Sequence, residues 1–261
     1  MKESDITNQL YSELKKYKKA KMLLKLLEKD KEVNEFLELS NIVTMLRLHM
    51  NDHGRMHSKI VALNSIKIYK ILLQNKILGN IQKEGIGGEE EEIIALLLGS
   101  YLHDIGNSIS RENHELLGLI LAKPIIERVL KEIKIESFKI EGTILEEILC
   151  HMGNYISSSL EAKIVACADG SDMTKGRARI PYKSGKASIH SFSATAIDEV
   201  NIKNGETKPI RIEIKMSDTA GIFQIEEILN KKIKNLGFEN YVEVVANIKN
   251  EKTVKYFYGK D

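Results

Sequence analysis

Residues 93–104 read IIALLLGSYLHD, and this stretch decides the fold. It is apolar nearly all round, which predicts a helix buried on every side at the centre of a helical domain. The run ends on His103-Asp104, just before Gly106. Upstream, Glu89 to Glu92 suit a first helical turn, where carboxylates meet the positive end of the helix dipole. The segment before them, GNIQKEGIGGEEEE (79–92), is a break punctuated by Gly79, Gly85, Gly87 and Gly88.

Working outward, residues 1–50 and about 52–78 carry apolar residues at helical spacing, the second stretch through Ile60, Leu63, Ile66, Ile68, Ile71 and Leu72. Further helices are expected at about 112–133, 141–151 and 159–171. The pattern changes near residue 188. SFSATAIDEV (191–200) and IRIEIKM (210–216) alternate polar and apolar residues and read as strands. A helical stretch over 222–237 ends at Gly237, and YVEVVANI (241–248) and VKYFYG (254–259) read as two more strands. The expected architecture is mainly α: a helical domain over residues 1–187 and a small α+β unit, β-β-α-β-β, over 188–261.

Composition narrows the classes. Of 261 residues, 43% are hydrophobic and 29% charged, as in ordinary globular chains. No run of about eighteen apolar residues is present, and MKESDITNQL lacks the apolar core of a secretory signal. A cytoplasmic protein is expected. The net charge of +2 gives no case for nucleic-acid binding. Cys150 and Cys167 make no disulfide framework and read as buried free thiols. EGIGGE is not a phosphate loop, because no GK[ST] follows it.

Chemistry concentrates in the histidines and two aspartates. An unpaired carboxylate at the end of a buried helix costs several kcal/mol. A cation held between that carboxylate and imidazoles removes the cost. Alone, His103-Asp104 is equally a helix end whose Asp caps the next segment. The other histidines shift the balance: His53 and His57 stand four apart on one helical face, His114 opens the next helix, and His151 closes EEILCHMG. Asp169 ends a further apolar run. Imidazole with carboxylate suits iron, manganese, nickel, cobalt or zinc.

These segments resemble the HD phosphohydrolase superfamily, whose pattern is H…HD…D on a helical bundle. HSKIVALNSIKIYKIL (57–72) is similar to its first motif, LLLGSYLHDIGN (96–107) to its second and IVACADGSDMTKGRAR (164–179) to its closing aspartate motif. NHELLG (113–118) and LCHMGN (149–154) resemble the extra histidine segments of the ribonuclease Y-like and HD-GYP subfamilies. The resemblance covers roughly residues 45–180. Two departures stand out: Asn107 replaces the lysine of the common HDIGK, and no GYP tripeptide follows His151, so cleavage of cyclic di-GMP is not supported. DHGRMH (52–57) resembles a variant motif of archaeal and clostridial members. Its His53 is read as a further ligand, a substrate-facing base or a structural residue.

By resemblance, His57, His103, Asp104 and Asp169 hold one divalent transition metal ion, and His114 and His151, with Asp104 shared, hold a second. The implied catalytic residues are Asp104 and His53. For a phosphate-bearing substrate, Arg177 and Arg179 are expected to bind the anion, ahead of Lys175, with Asn107 beside them; Arg offers a planar fork that matches phosphate oxygens. Asp172 is expected to orient an imidazole. The implied activity is a binuclear phosphodiesterase acting on a nucleotide or a cyclic phosphate, with a one-metal nucleotide phosphatase and a ligand-sensing regulatory protein as alternatives. The C-terminal unit is read as a dimer interface or a substrate lid, and a homodimer is expected.

Overall fold

The computed structural model describes residues 2–177, 189–249 and 253–256. Its centre is the helix expected there. This is α6 (Glu89–Leu102), in which every residue from Glu92 to Leu102 is buried. Its start is set by Glu91, whose carboxylate accepts the backbone N–H of Gly88 at 3.0 Å. Around it pack α4 (Arg55–Gln74), α8 (Phe138–Cys150) and α9 (Leu160–Ser171). Ser137 and Ser159 cap α8 and α9, each accepting a backbone N–H in the first turn. The 3₁₀ turn Ile105–Ser108 follows α6, and α7 (His114–Glu132) packs on both that turn and α8.

The first fifty residues are not one helix. They form α1 (Glu3–Glu13), α2 (Lys18–Lys29) and α3 (Lys31–Asn41), the last extended by a π-helical turn, Ile42–Arg47. Asp30 ends α2 and caps α3, accepting the N–H of Val33 at 3.1 Å. Leu23, Leu24 and Leu27 of α2 are fully buried in the common core. A short helix, α5 (Asn80–Lys83), interrupts the glycine-rich break.

The C-terminal unit differs from expectation at its start. Residues Ile189–Thr195 form a helix, α10, and the first strand, β1, runs over Ile197–Asn204 rather than from residue 191. The hydroxyls are accommodated within the helix: Ser193 Oγ donates to the carbonyl of Ile189 at 2.7 Å, and Thr195 Oγ1 to that of Phe192 at 2.6 Å. Strand β2 (Ile210–Met216) pairs antiparallel with β1. A helical connection, α11, follows as Ile222–Gln224, a π-helical Ile225–Asn230 and Lys231–Asn235. Strand β3 (Val242–Ile248) then lies parallel to β2, with Ile210 opposite Val242, and β4 (Val254–Tyr256) pairs antiparallel with β3. A parallel pair needs such a crossover connection, which is why a helix sits between β2 and β3.

One set of buried apolar residues runs from α1 through the helical core to the sheet. Strands β1 and β2 pack against α4, and α11 packs against α9. The boundary expected at 187/188 falls outside the described residues. Both cysteines are buried and unbridged, and burial pushes Cys150 up to about 11 and Cys167 up to about 12. Among the described residues, no helix is long and apolar enough to cross a membrane.

Candidate metal centre

Five helix ends converge. His57 stands in the first turn of α4, His103 and Asp104 follow α6, His114 opens α7, His151 follows α8, and Asp169 lies near the end of α9. One glycine permits the approach of α7. A Cβ on Gly106 would lie 1.9 Å from the carbonyl oxygen of His114 and 2.5 Å from the nitrogen of Gly118. Backbone therefore touches backbone where His114 meets Asp104, and the glycine of HDIGN is explained by this contact.

All six side chains are buried, and their nitrogen and oxygen atoms face one another. On one side, His57 Nε2 lies 3.1 Å from His103 Nε2, 3.1 Å from Asp169 Oδ1 and 3.4 Å from Asp104 Oδ2. His103 Nε2 is 3.3 Å from Asp104 Oδ2 and 3.8 Å from Asp169 Oδ1. On the other side, His114 Nε2 is 3.1 Å from His151 Nε2, and these two lie 3.3 and 3.7 Å from Asp104 Oδ1. Asp104 therefore divides its two oxygens between two pairs of imidazoles.

The outward nitrogen of each imidazole has an acceptor. His57 Nδ1 meets Asp172 Oδ2 at 2.7 Å, His103 Nδ1 the Ser100 carbonyl at 2.8 Å, and His151 Nδ1 the Ile148 carbonyl at 2.7 Å. His114 Nδ1 meets the Arg111 carbonyl at 3.1 Å and the Glu115 carboxylate at 3.2 Å. Donating from Nδ1 leaves a lone pair on each Nε2, aimed inward. Lone pairs and carboxylate oxygens facing each other at these distances repel unless positive charge lies among them. A divalent cation fits this donor set, and imidazoles held by outer partners are characteristic of metal sites.

The electrostatics agree. Burial pushes the Asp104 carboxyl up, but the charges of His103 and His53 and hydrogen bonds from His103 and His114 outweigh it, and the group lies well below the usual carboxylate range. Asp169 is likewise held low against burial, chiefly by the charge of Lys232. Burial and Arg177 favour neutral His57, yet hydrogen bonds to Asp104, Asp169 and Asp172 push it up to about 10. Burial holds His151 down to about 4 and His53 well below its ordinary value.

Not every expected residue reaches the centre in the same way. His53 Nδ1 bonds Asp104 Oδ2 at 2.7 Å and lines the adjoining cleft. Arg177 also lines it: Nη2 lies 3.2 Å from His53 Nδ1 and 3.1 Å from His57 Nε2, while Nε and Nη1 donate to the carbonyls of Asp52 and Asp172. Asn107 is buried behind Asp104, donating to its Oδ1 at 2.8 Å, and is not among the residues lining the cleft. Lys175 points elsewhere, pairing with Asp198 at 2.7 Å on the surface. Arg179 lies outside the described residues.

Two cleft residues escaped the sequence reading. Arg111 donates to Asn107 Oδ1 at 3.1 Å and stands beside His114. Lys232, on α11, places its ammonium on Asp169 Oδ2. A sequence signal for Lys232 exists: Ile225, Leu229, Lys232, Ile233 and Leu236 share one helical face, and every other member of it is an apolar core residue.

The profile of the HD domain matches residues 55–174, which contain all six converging side chains. The chain belongs to the HD-domain family. It is also 46% identical to an uncharacterized protein of Methanocaldococcus jannaschii over 236 residues, 90% of this chain and 91% of that one. No solved structure matches the chain. Family membership and the buried His/Asp clusters together make this a metal-dependent hydrolase of the phosphohydrolase type.

Proposed function

We propose that the chain is a binuclear phosphodiesterase acting on a nucleotide or cyclic-phosphate substrate. The division of Asp104 carries this reading. With Oδ2 toward His57 and His103, and Oδ1 toward His114 and His151, one carboxylate serves two neighbouring donor sets. In a single-ion site the buried imidazoles of His114 and His151 would hold no ion and would face Asp104 Oδ1 and, at 3.4 Å from His114 Nε2, the Arg111 guanidinium.

Two divalent ions, one among His57, His103, Asp104 and Asp169 and one among Asp104, His114 and His151, would supply Lewis acidity and an acidified water there. The remaining work belongs to the chain. A cleft of about 400 Å³ opens above the centre, roomy enough for a nucleotide-sized ligand. Arg177, fixed through Nε and Nη1 by the Asp52 and Asp172 carbonyls, lines the cleft with Nη2 as the donor left for a phosphoryl oxygen. His53, neutral by burial and bonded to Asp104, is placed to accept a proton from the attacking water or return one to the leaving oxygen.

The test is elemental analysis of protein purified without oxygen, beside Asp104→Ala, followed by product analysis on cyclic nucleotides and diesters. Two transition-metal ions per chain, lost in the variant, and a phosphomonoester product are expected. One ion with release of inorganic phosphate would instead establish a nucleotide phosphatase, and absence of metal after reconstitution would sink the hydrolytic reading.

A further inference from the structure

The closing aspartate of the centre is held by a residue that belongs to neither the helical domain nor its motifs. Lys232 lies on α11, is 6% exposed, and sets its ammonium on Asp169 Oδ2 while Asp169 Oδ1 faces His57. The approach is built from both sides. A Cβ on Gly170, next to Asp169, would meet Lys232 Cδ and Leu229 Cδ1 at 3.3 Å. One on Gly153, two residues after His151, would come within 3.6 Å of Lys232 Cα. Asn235, one turn further along, donates to the carbonyl of Gly153 at 3.2 Å. Gly170 thus makes room for the lysine stem, and Gly153, whose φ is +77°, turns the chain after His151 in ordinary contact with it.

A buried lysine is costly unless its charge is used. An ammonium has three donors. Asp169 takes one, and Lys232 lines the same cleft as Arg177 and Arg111. Four cationic side chains border the cleft, Arg111, Arg177, Lys231 and Lys232, of which Lys231 pairs with Glu227; the other three stand nearest a floor of metal-ligating carboxylates. The excess of positive charge suits an anion that enters after the metals, not the metals themselves.

We infer that Lys232 anchors a phosphoryl oxygen of the substrate, so that the C-terminal unit completes the active centre instead of merely covering it. The inference rests on the phosphohydrolase reading above and names the residue that ties that chemistry to α11. A cation sitting on a metal-ligating carboxylate weakens metal binding and strengthens anion binding. A merely structural lysine would weaken both when removed. The two roles are separated by the sign of the effect on metal affinity.

The experiment is calorimetric titration of the full chain with Mn²⁺ alone, and then of the Mn²⁺-loaded chain with inorganic phosphate. Lys232→Met, Lys232→Arg and the exposed neighbour Lys234→Met are compared with the parent, with folding checked by circular dichroism. Lys232→Met should bind Mn²⁺ at least as tightly as the parent and phosphate at least tenfold more weakly. Lys232→Arg should recover part of the phosphate affinity, and Lys234→Met should match the parent. Phosphate binding within twofold of the parent in Lys232→Met, or a parallel loss of Mn²⁺ and phosphate, overturns the inference while leaving the hydrolase reading intact. Lys232-dependent phosphate binding in a chain that cleaves no phosphate ester would support the anchor and overturn the hydrolase reading. A parent that binds Mn²⁺ but no phosphate overturns the anchor.

Discussion

Asn107 donates its side-chain amide to Asp104 Oδ1 at 2.8 Å, and to the Asp104 carbonyl at 3.0 Å. The residue thus holds the oxygen that faces His114 and His151. Where many relatives of the motif resemblance carry lysine, this chain carries a neutral amide that orients the shared carboxylate. On the proposed two-ion centre, Asn107→Ala should lower affinity for one ion by roughly 10–100-fold, the usual cost of losing an outer partner, while the other ion stays bound. Elemental analysis at graded chelator concentration reads this; equal loss of both ions would refute it.

Asp172 acts on the other side, accepting from His57 Nδ1 at 2.7 Å. Asp172→Asn keeps the shape but offers the imidazole a neutral acceptor. We expect about tenfold weaker metal binding with the helical content unchanged. Titration with Mn²⁺ beside far-ultraviolet circular dichroism separates this from misfolding.

Buried glutamates also lie away from the cleft. Glu92 of α6 and Glu147 of α8 are fully buried, and Glu147 has no hydrogen-bond partner for either carboxylate oxygen. Burial, with Glu161 next, pushes Glu92 up to about 9, and burial with the charges of Glu161 and Glu92 holds Glu147 well above its ordinary value of 4.5. The folded chain keeps these protons where the unfolded chain has lost them. Their contribution to stability is full below about pH 4.5 and declines as pH rises above it, by at most about 1.4 kcal/mol per pH unit for each group, with that of Glu92 lost by about pH 9. Glu147→Gln carries no such proton, so its melting temperature should fall less than the parent's between pH 5 and pH 8. Identical slopes in thermal melts at the two pH values would contradict the assignment.

Gly106→Ala tests the backbone contact that brings α7 to the centre. With a Cβ 1.9 Å from the His114 carbonyl, either the 3₁₀ turn or α7 must move. A loss of about 1–3 kcal/mol or more is expected, with the His114 side of the centre affected first. Urea unfolding and metal stoichiometry on the same sample measure both parts. A variant of parental stability that still holds two ions would show that the contact is not needed.

The helical core was legible because burial is written into local pattern. IIALLLGSYL leaves no polar face, so α6 had to be central, and the histidines and aspartates at helix ends were found from spacing and motif. Boundaries fared less well. SFSATA alternates like a strand, but its hydroxyls find backbone carbonyls within a helix, a competition that alternation does not report. Within the site, Lys175 and Arg177 look alike in SDMTKGRAR. Only Arg177 is turned inward, by bonds to Asp52 and Asp172, whereas Asp198 of β1 draws Lys175 to the surface.

What local sequence carries here is the list of donors: six side chains whose types and order imply a cation before any coordinates are known. Their mutual arrangement is another matter. That Asp104 shares its oxygens between two imidazole pairs follows from where α4, α7, α8 and α9 cross α6. That Lys232 reaches Asp169, sixty-three residues away, follows from the docking of α11 over Gly153 and Gly170. Periodicity reports which face of a helix is buried, because burial is set by the residue's own hydropathy. Which buried groups meet depends on packing between distant segments, and no local pattern encodes it.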